Sequence, residues 1–92
     1  ALLAFQKEVE TVLTRSTALA EAKREAEKRK QDLRALAGPR DEDPARVNSV
    51  LSALATDLES ADAAPTAAQR EVLVKYGEGL ARYEARWRKL GR

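Results

Sequence analysis

The sequence predicts an all-α protein, an up-down-up three-helix bundle whose long first helix projects beyond the other two. Three observations support this fold class. Apolar residues recur in steps of three and four, the spacing of a stripe on one face of a helix. Alanine and leucine supply most of the apolar content, and no segment alternates as a strand would. Segments that contain proline divide the chain into three parts.

The first helix is predicted over residues 2–37. Its stripe runs from Leu2 to Ala37 in alternating steps of three and four residues. Gly38 and Pro39 are expected to end it, because glycine readily adopts a left-handed conformation and proline bars continuation. At 1.5 Å per residue this helix would be about 54 Å long, more than either of the others.

The second helix is predicted over residues 44–63. Asp43 is its expected N-cap, and Pro44 occupies the first helical position, where a missing N–H group costs nothing. Pro65 is expected to end it. Its amphipathic stripe consists of Val47, Val50, Leu51, Leu54, Leu58 and Ala61.

The third helix is predicted over residues 66–90. Thr66 and Gln69 have the spacing of a capping box at its start. Gly77 and Gly79 interrupt it, and because no strand precedes them we interpret them as a site of close packing or a kink rather than a phosphate-binding loop. Its stripe consists of Leu73, Tyr76, Leu80, Tyr83, Trp87 and Leu90.

These lengths leave the first half of helix one without a partner, because helix two would reach back only to about Leu19. The residues beyond that point form the predicted interface: Leu2, Leu3, Phe5, Val9, Val12 and Leu13. Uncovered apolar side chains indicate a missing partner. We expect a protein partner, either a second copy of the chain or the remainder of a longer parent protein. A bend near residues 14–17 that folds the segment back is a third alternative.

The composition argues against an enzyme. The chain has no cysteine and no histidine, which removes thiolate metal sites, the commonest general base and the commonest metal ligand. We therefore predict no catalytic residue, no metal site and no cofactor. The carboxylates at 41–43 lack the further ligands of a cation site, and we interpret them as ordinary polar residues of a loop. No segment is apolar for long enough to predict a membrane span.

A basic surface near the C-terminus supports an alternative function, the binding of a polyanion or nucleic acid. Its candidate residues are Arg82, Arg86, Arg88 and Lys89. The net charge is only +2, from 17 basic and 15 acidic residues, so a nucleic acid is disfavoured as the partner. The absence of any methionine leads us to interpret the chain as part of a longer protein.

One stretch resembles a known family. The run Ala61-Asp62-Ala63-Ala64-Pro65-Thr66-Ala67-Ala68-Gln69 lies between a helix that ends in Leu58-Glu59-Ser60 and one that ends in Trp87-Arg88-Lys89-Leu90. This resembles the C-terminal helical segment of bacterial sortilin-like (BNR-repeat) β-propeller proteins. The resemblance implies an appendage that packs on, or projects from, an exported propeller protein. It implies no catalytic residue in this chain.

Overall fold

The described part of the chain is mostly helical. A computed structural model describes residues 2–59 and 65–91, and these residues form three α-helices, two short 3-10 turns and no strand. The helices are α1 (Leu2–Lys28), α2 (Pro44–Glu59) and α3 (Ala67–Gly91). The 3-10 turns, Arg34–Leu36 and Arg40–Glu42, lie in the segment 29–43, which we call the linker. The predicted all-α fold class is confirmed.

The starts of α2 and α3 follow the predicted capping chemistry. The backbone N–H of Ala45 donates to Asp43 Oδ1 at 3.2 Å, which caps α2. At α3, Thr66 N–H donates to Gln69 Oε1 at 2.9 Å and Gln69 N–H donates to Thr66 Oγ1 at 3.1 Å. These reciprocal bonds form a capping box. The predicted end of helix two at residue 63 falls in the segment 60–64, outside the described residues.

The end of helix one differs from the prediction, since α1 stops well before Ala37. Lys30 adopts a left-handed conformation with φ of 58°. Its N–H donates to the Glu27 carbonyl, and the N–H of Gln31 donates to the Ala26 carbonyl, both at 3.0 Å. These two bonds form a Schellman motif, which satisfies carbonyls at the end of the helix.

The early end of α1 is explained by what the linker then buries. Leu36 is 4% exposed and Glu42 is 6% exposed, and both 3-10 turns contact α3. Burial of a leucine side chain contributes about 1.5–3 kcal/mol. The left-handed conformation at Lys30 costs about 1–2 kcal/mol, so the exchange favours the turn over a continuous helix.

A glycine of α3 makes room for the linker. A Cβ atom added to Gly79 would overlap the carbonyl oxygen of Asp41 and lie 2.7 Å from its carbonyl carbon. The linker backbone therefore lies directly against α3. Close packing of another helix, or a kink, was predicted at these glycines; at Gly79 the segment that packs closely is the linker. Gly77 has more space, since a Cβ there would lie 3.9 Å from Val12 Cγ2.

Contacts between the helices give their directions and register. Gln6 Nε2 donates to the Leu58 carbonyl at 3.4 Å, whereas Asn48 Nδ2 donates to Thr17 Oγ1 at 2.8 Å, so α1 and α2 run antiparallel. Arg15 near the middle of α1 pairs with a carboxylate in the second half of α3, and Gly77 lies near Val12, so α3 runs parallel to α1. Because α1 ends early, the second half of α2 covers the N-terminal half of α1.

All three helices contribute to one apolar core. Its buried residues are Phe5, Val9, Val12, Val47, Leu51, Leu54, Leu58, Leu73 and Leu80. α1 and α3 are about 40 and about 38 Å long, within a molecule of 46 × 19 × 19 Å. The predicted overhang of helix one rested on a 36-residue helix, and the observed bounds of α1 remove that basis.

Candidate interaction surface

Most of the predicted interface lies inside the protein. Phe5, Val9 and Val12 are 8%, 0% and 9% exposed and belong to the apolar core. Leu13 is partly buried against the same core. The prediction that these residues have no partner within the chain is wrong. It assumed a helix one that continues to residue 37, which shifts helix two away from the start of the chain.

Leu3 is the member of the predicted interface that the structure leaves in solvent, with 65% of its surface exposed. It lies nine positions before Val12, and at about 100° per residue the two lie on opposite faces of α1. Leu3 is therefore an isolated apolar residue on the outer face of the helix, which by itself needs no partner. The backbone of Leu2 begins α1, but its side chain lies outside the described residues.

A groove between α1 and α3 is a largely apolar depression on the described surface. It consists of two adjoining cavities of about 300 and about 420 Å³ that share Glu8, Leu73 and Val74. We call it the α1/α3 groove, lined by Ala4, Phe5, Glu8, Thr11 and Val12 of α1 and by Pro65, Arg70, Leu73, Val74, Gly77 and Glu78. The N-terminal half of α1 therefore does reach the surface, as one wall of this groove.

Two features mark the groove, an ion pair beyond its Thr11 end and an exposed apolar side chain at its rim. Arg15 Nε donates to Glu84 Oε2 at 3.0 Å, and a second guanidinium bond to the same carboxylate joins α1 to α3. Arg15 lies one turn beyond Thr11, so this ion pair joins α1 and α3 beyond the Thr11 end of the groove. Val74 forms part of the rim and is 56% exposed. In the sequence, Val74 is an apolar residue on an otherwise polar helix face, and this pattern could have indicated the surface.

Charges of opposite sign flank Val74 along α3. Arg70 precedes it by one turn and Glu78 follows it by one turn, and both line the surface around Val74. Across the groove, the carboxylate of Glu8 lies at the rim. Among the described residues neither Arg70 nor Glu8 forms an ion pair, whereas Glu78 has a favourable electrostatic interaction with Arg82. The charge along this side of the groove therefore changes from positive at Arg70 to negative at Glu78.

The predicted polyanion surface is divided by the fold. Arg82 Nε donates to Glu42 Oε2 at 2.8 Å, and Arg86 Nη1 lies 2.6 Å from Glu42 Oε1. Arg86 also donates to the Leu36 carbonyl at 3.2 Å. These two arginines hold the linker against α3, while Arg88 and Lys89 remain exposed. Two of the four predicted cations are thus engaged within the chain.

Glu42 is the buried carboxylate on which this contact depends. The bond from Arg82 lowers its pKa, burial raises it, and Arg86 lowers it further, so that the net pKa lies below its usual value. The carboxylate is therefore charged at neutral pH. Glu42 was predicted to be an ordinary polar residue of a loop. Nothing in its local sequence indicates that arginines of a distant helix are its partners.

A small polar cluster connects α1 and α2. Ser16 is fully buried and donates to the Leu13 carbonyl at 2.9 Å. Asn48 Nδ2 donates to Ser16 Oγ at 3.0 Å and to Thr17 Oγ1 at 2.8 Å. These bonds satisfy the buried hydroxyl and fix the register of the two helices. The cluster lacks a histidine or other base beside the serine, and its geometry is structural.

The described residues give no indication of a metal or a membrane site. Within 2–59 and 65–91 no group of three or more histidine, cysteine, aspartate or glutamate side chains could hold a metal ion. The carboxylates of the linker instead face cations of the chain, as in the 3.8 Å contact of Lys23 with Asp43. No helix in this part of the chain is both long and apolar enough to cross a membrane.

Comparison with known proteins adds no relative. No family model, no curated protein and no solved structure matches the chain.

Proposed function

We propose that this chain is a non-catalytic helical interaction module, an up-down-up three-helix bundle that associates with a second copy of itself through the α1/α3 groove. The observation that carries the proposal is Val74, an apolar side chain that is 56% exposed at the rim of an apolar groove. The absence of histidine and cysteine from the sequence supports a role without catalysis.

The charges beside Val74 favour a second copy as the occupant. In a symmetric dimer the same patch contacts itself, and a twofold axis beside Val74 at right angles to α3 sets the two α3 helices antiparallel. Each residue of one α3 then faces the residue of the other α3 that lies equally far from position 74 in the opposite direction along the sequence. Arg70 of one copy therefore faces Glu78 of the other, and the reverse pair forms as well. Both pairs are of opposite charge, which stabilises this arrangement.

The single exposed apolar anchor on each copy indicates weak association. Stable interfaces bury about 800 Å² on each partner, with apolar anchors at their centre. Here the central anchor is the pair of Val74 side chains, supported by the edges of Leu73 and Val12. We therefore expect a reversible dimer that forms at high concentration. If the resemblance to sortilin-like propeller proteins reflects a common parent, such a contact would join two parent proteins through their appendages.

Sedimentation equilibrium of the 92-residue chain tests this proposal. We expect the average mass to rise toward that of a dimer as concentration increases to about 1 mM, the range of weak association. Val74→Glu should keep the chain monomeric, because it removes the apolar anchor and adds a negative charge close to Glu78. Val74 is exposed, so this substitution leaves the core intact.

The matched control is Leu3→Glu, which makes the same change at an exposed apolar residue on the outer face of α1. This variant should dimerise as the unchanged chain does. Dimerisation that is lost in Leu3→Glu and kept in Val74→Glu would assign the contact to the outer face of α1 and refute the groove as the interface. A chain that stays monomeric at every concentration would refute self-association.

A further inference from the structure

The fold separates charge along the bundle. One end of the molecule brings together the end of α1, the linker and the end of α3, residues 23–43 and 82–91, and we call it the linker end. It contains 11 basic and 7 acidic residues, whereas the rest of the described chain contains 5 basic and 7 acidic residues. The net charge of +2 therefore averages a positive end and a negative remainder.

The acidic residues of the linker end are engaged within the chain. Six of the seven form ion pairs with lysine or arginine, namely Glu25, Asp32, Asp41, Glu42, Asp43 and Glu84. By contrast, six of the eleven basic residues are exposed and form no ion pair among the described residues: Arg24, Arg29, Lys30, Arg40, Arg88 and Lys89. The uncompensated charge of this end is therefore almost entirely positive.

Two of these free cations belong to different helices and lie on the same side of the bundle. Arg88 follows Glu84 by one turn of α3, and Glu84 contacts Arg15 of α1. Arg29 follows Arg15 by about four turns, and its N–H still donates to the Glu25 carbonyl at 3.2 Å, as in the helix before it. Arg29 and Arg88 therefore both lie on the side where α1 and α3 meet.

We infer that the linker end is a docking surface for double-stranded nucleic acid, which it binds through the phosphate backbone. Four of its six free cations are arginines, whose planar guanidinium group binds a phosphate through two hydrogen bonds. The large apolar side chains that are exposed among the described residues, Leu3 and Val74, lie outside this end. A membrane surface is therefore disfavoured, since basic helical surfaces that bind lipid also bury apolar residues in it.

The aromatic residues of the linker end favour a duplex over a single strand. Tyr83 is buried, and Trp87 is half-buried and stacks on the Tyr83 ring with the centroids 6.4 Å apart. Proteins that bind single strands stack bases on exposed aromatic side chains, which the described part of this end does not offer. This surface does not depend on the proposed dimer, because none of its six free cations lines the α1/α3 groove.

The fluorescence anisotropy of a labelled DNA duplex, titrated with the 92-residue chain, tests the inference. The molecule is 19 Å across, a width that covers about 11 charges of a duplex, so we expect about four phosphate contacts. The affinity should then fall about 100-fold between about 50 and about 200 mM salt. A duplex that does not bind at the lower salt concentration would overturn the inference.

Arg29→Glu combined with Arg88→Glu should weaken binding by more than about tenfold, because phosphate contacts are lost and negative charges are added. Lys7→Glu combined with Lys75→Glu is the matched control, since both lysines are exposed outside the linker end and the net charge changes equally. Salt screens charges that lie far from the contact, so the control should bind nearly as the unchanged chain does. An equal loss of affinity in the two double variants would contradict a surface at the linker end.

Two other ligands separate the duplex from different anionic partners. A single strand of the same length, and vesicles of phosphatidylserine and phosphatidylcholine in equal parts, are compared with the duplex at equal phosphate concentration. Both should bind more weakly, because the linker end offers neither an exposed aromatic side chain for stacking nor an exposed large apolar one for insertion among its described residues. Tighter binding of either would refute the duplex as the partner.

Discussion

At the scale of single residues, two glycines that are two positions apart in α3 have different roles. Both interrupt the helical stripe, and the sequence offers the same interpretation for Gly77 and Gly79. In the structure, Gly79 is buried beneath the Asp41 carbonyl, while a Cβ at Gly77 would make an ordinary contact with Val12. The difference comes from the path of the linker, which no local pattern around the two glycines records.

Alanine substitutions separate these roles. Gly79→Ala should destabilise the protein by about 2 kcal/mol, because its Cβ would displace the linker backbone, and the gain in helix propensity offsets only part of this. Gly77→Ala should be neutral or stabilising by up to about 1 kcal/mol, since it gains propensity without a clash. Urea unfolding curves measure both. Equal effects of the two substitutions would contradict the close approach of the linker at Gly79.

Glu42 shows a second limit at this scale. A buried charge is stable only when it is paired and hydrogen-bonded, and its partners Arg82 and Arg86 lie on a helix about 40 positions further along the chain. The sequence predicted Arg82 and Arg86 as part of a free basic surface. Pairing across such a distance depends on the tertiary fold, and this is why the two arginines and the carboxylate were assigned unrelated roles.

At the scale of the helices, local signals predicted the starts of α2 and α3 and failed at the end of α1. The cap at Asp43 and the capping box at Thr66 require only residues within one turn, so their spacing is visible in the sequence. The end of α1 has a lysine at the left-handed position, where glycine is usual. It is stabilised by the distant burial of Leu36, which no local pattern shows.

The substitution Lys30→Gly distinguishes the two ends proposed for helix one. In the observed Schellman motif, glycine relieves the left-handed strain and should stabilise the protein by about 1 kcal/mol. In a helix that continued to residue 37, the same change would destabilise it by about 1 kcal/mol. Urea unfolding gives the sign. Arg29→Gly is the control, because it precedes the left-handed position and should be destabilising.

At the scale of the whole molecule, the end of α1 sets the register of everything that follows. An early turn brings α2 back along the N-terminal half of α1, so Phe5, Val9 and Val12 enter the core. The apolar stripe was predicted to need a partner outside this chain, which is wrong for Phe5, Val9 and Val12. These residues are covered by the rest of this chain, and the surface that we propose for association is the α1/α3 groove beside them.

The pairing of Arg70 with Glu78 is the most specific consequence of the proposed dimer. Arg70→Glu places acidic residues at both positions of one copy, and Glu78→Arg places basic residues at both. Each variant alone should be monomeric, because like charges face each other across the twofold axis. An equimolar mixture restores two pairs of opposite charge and should form a heterodimer.

Sedimentation equilibrium at low ionic strength makes this comparison directly, because salt screens exposed charges. The account predicts monomers for each variant alone and a mass approaching that of a dimer for their mixture. Variants that each dimerise like the unchanged chain would contradict it. So would a mixture that stays monomeric under conditions in which the unchanged chain dimerises.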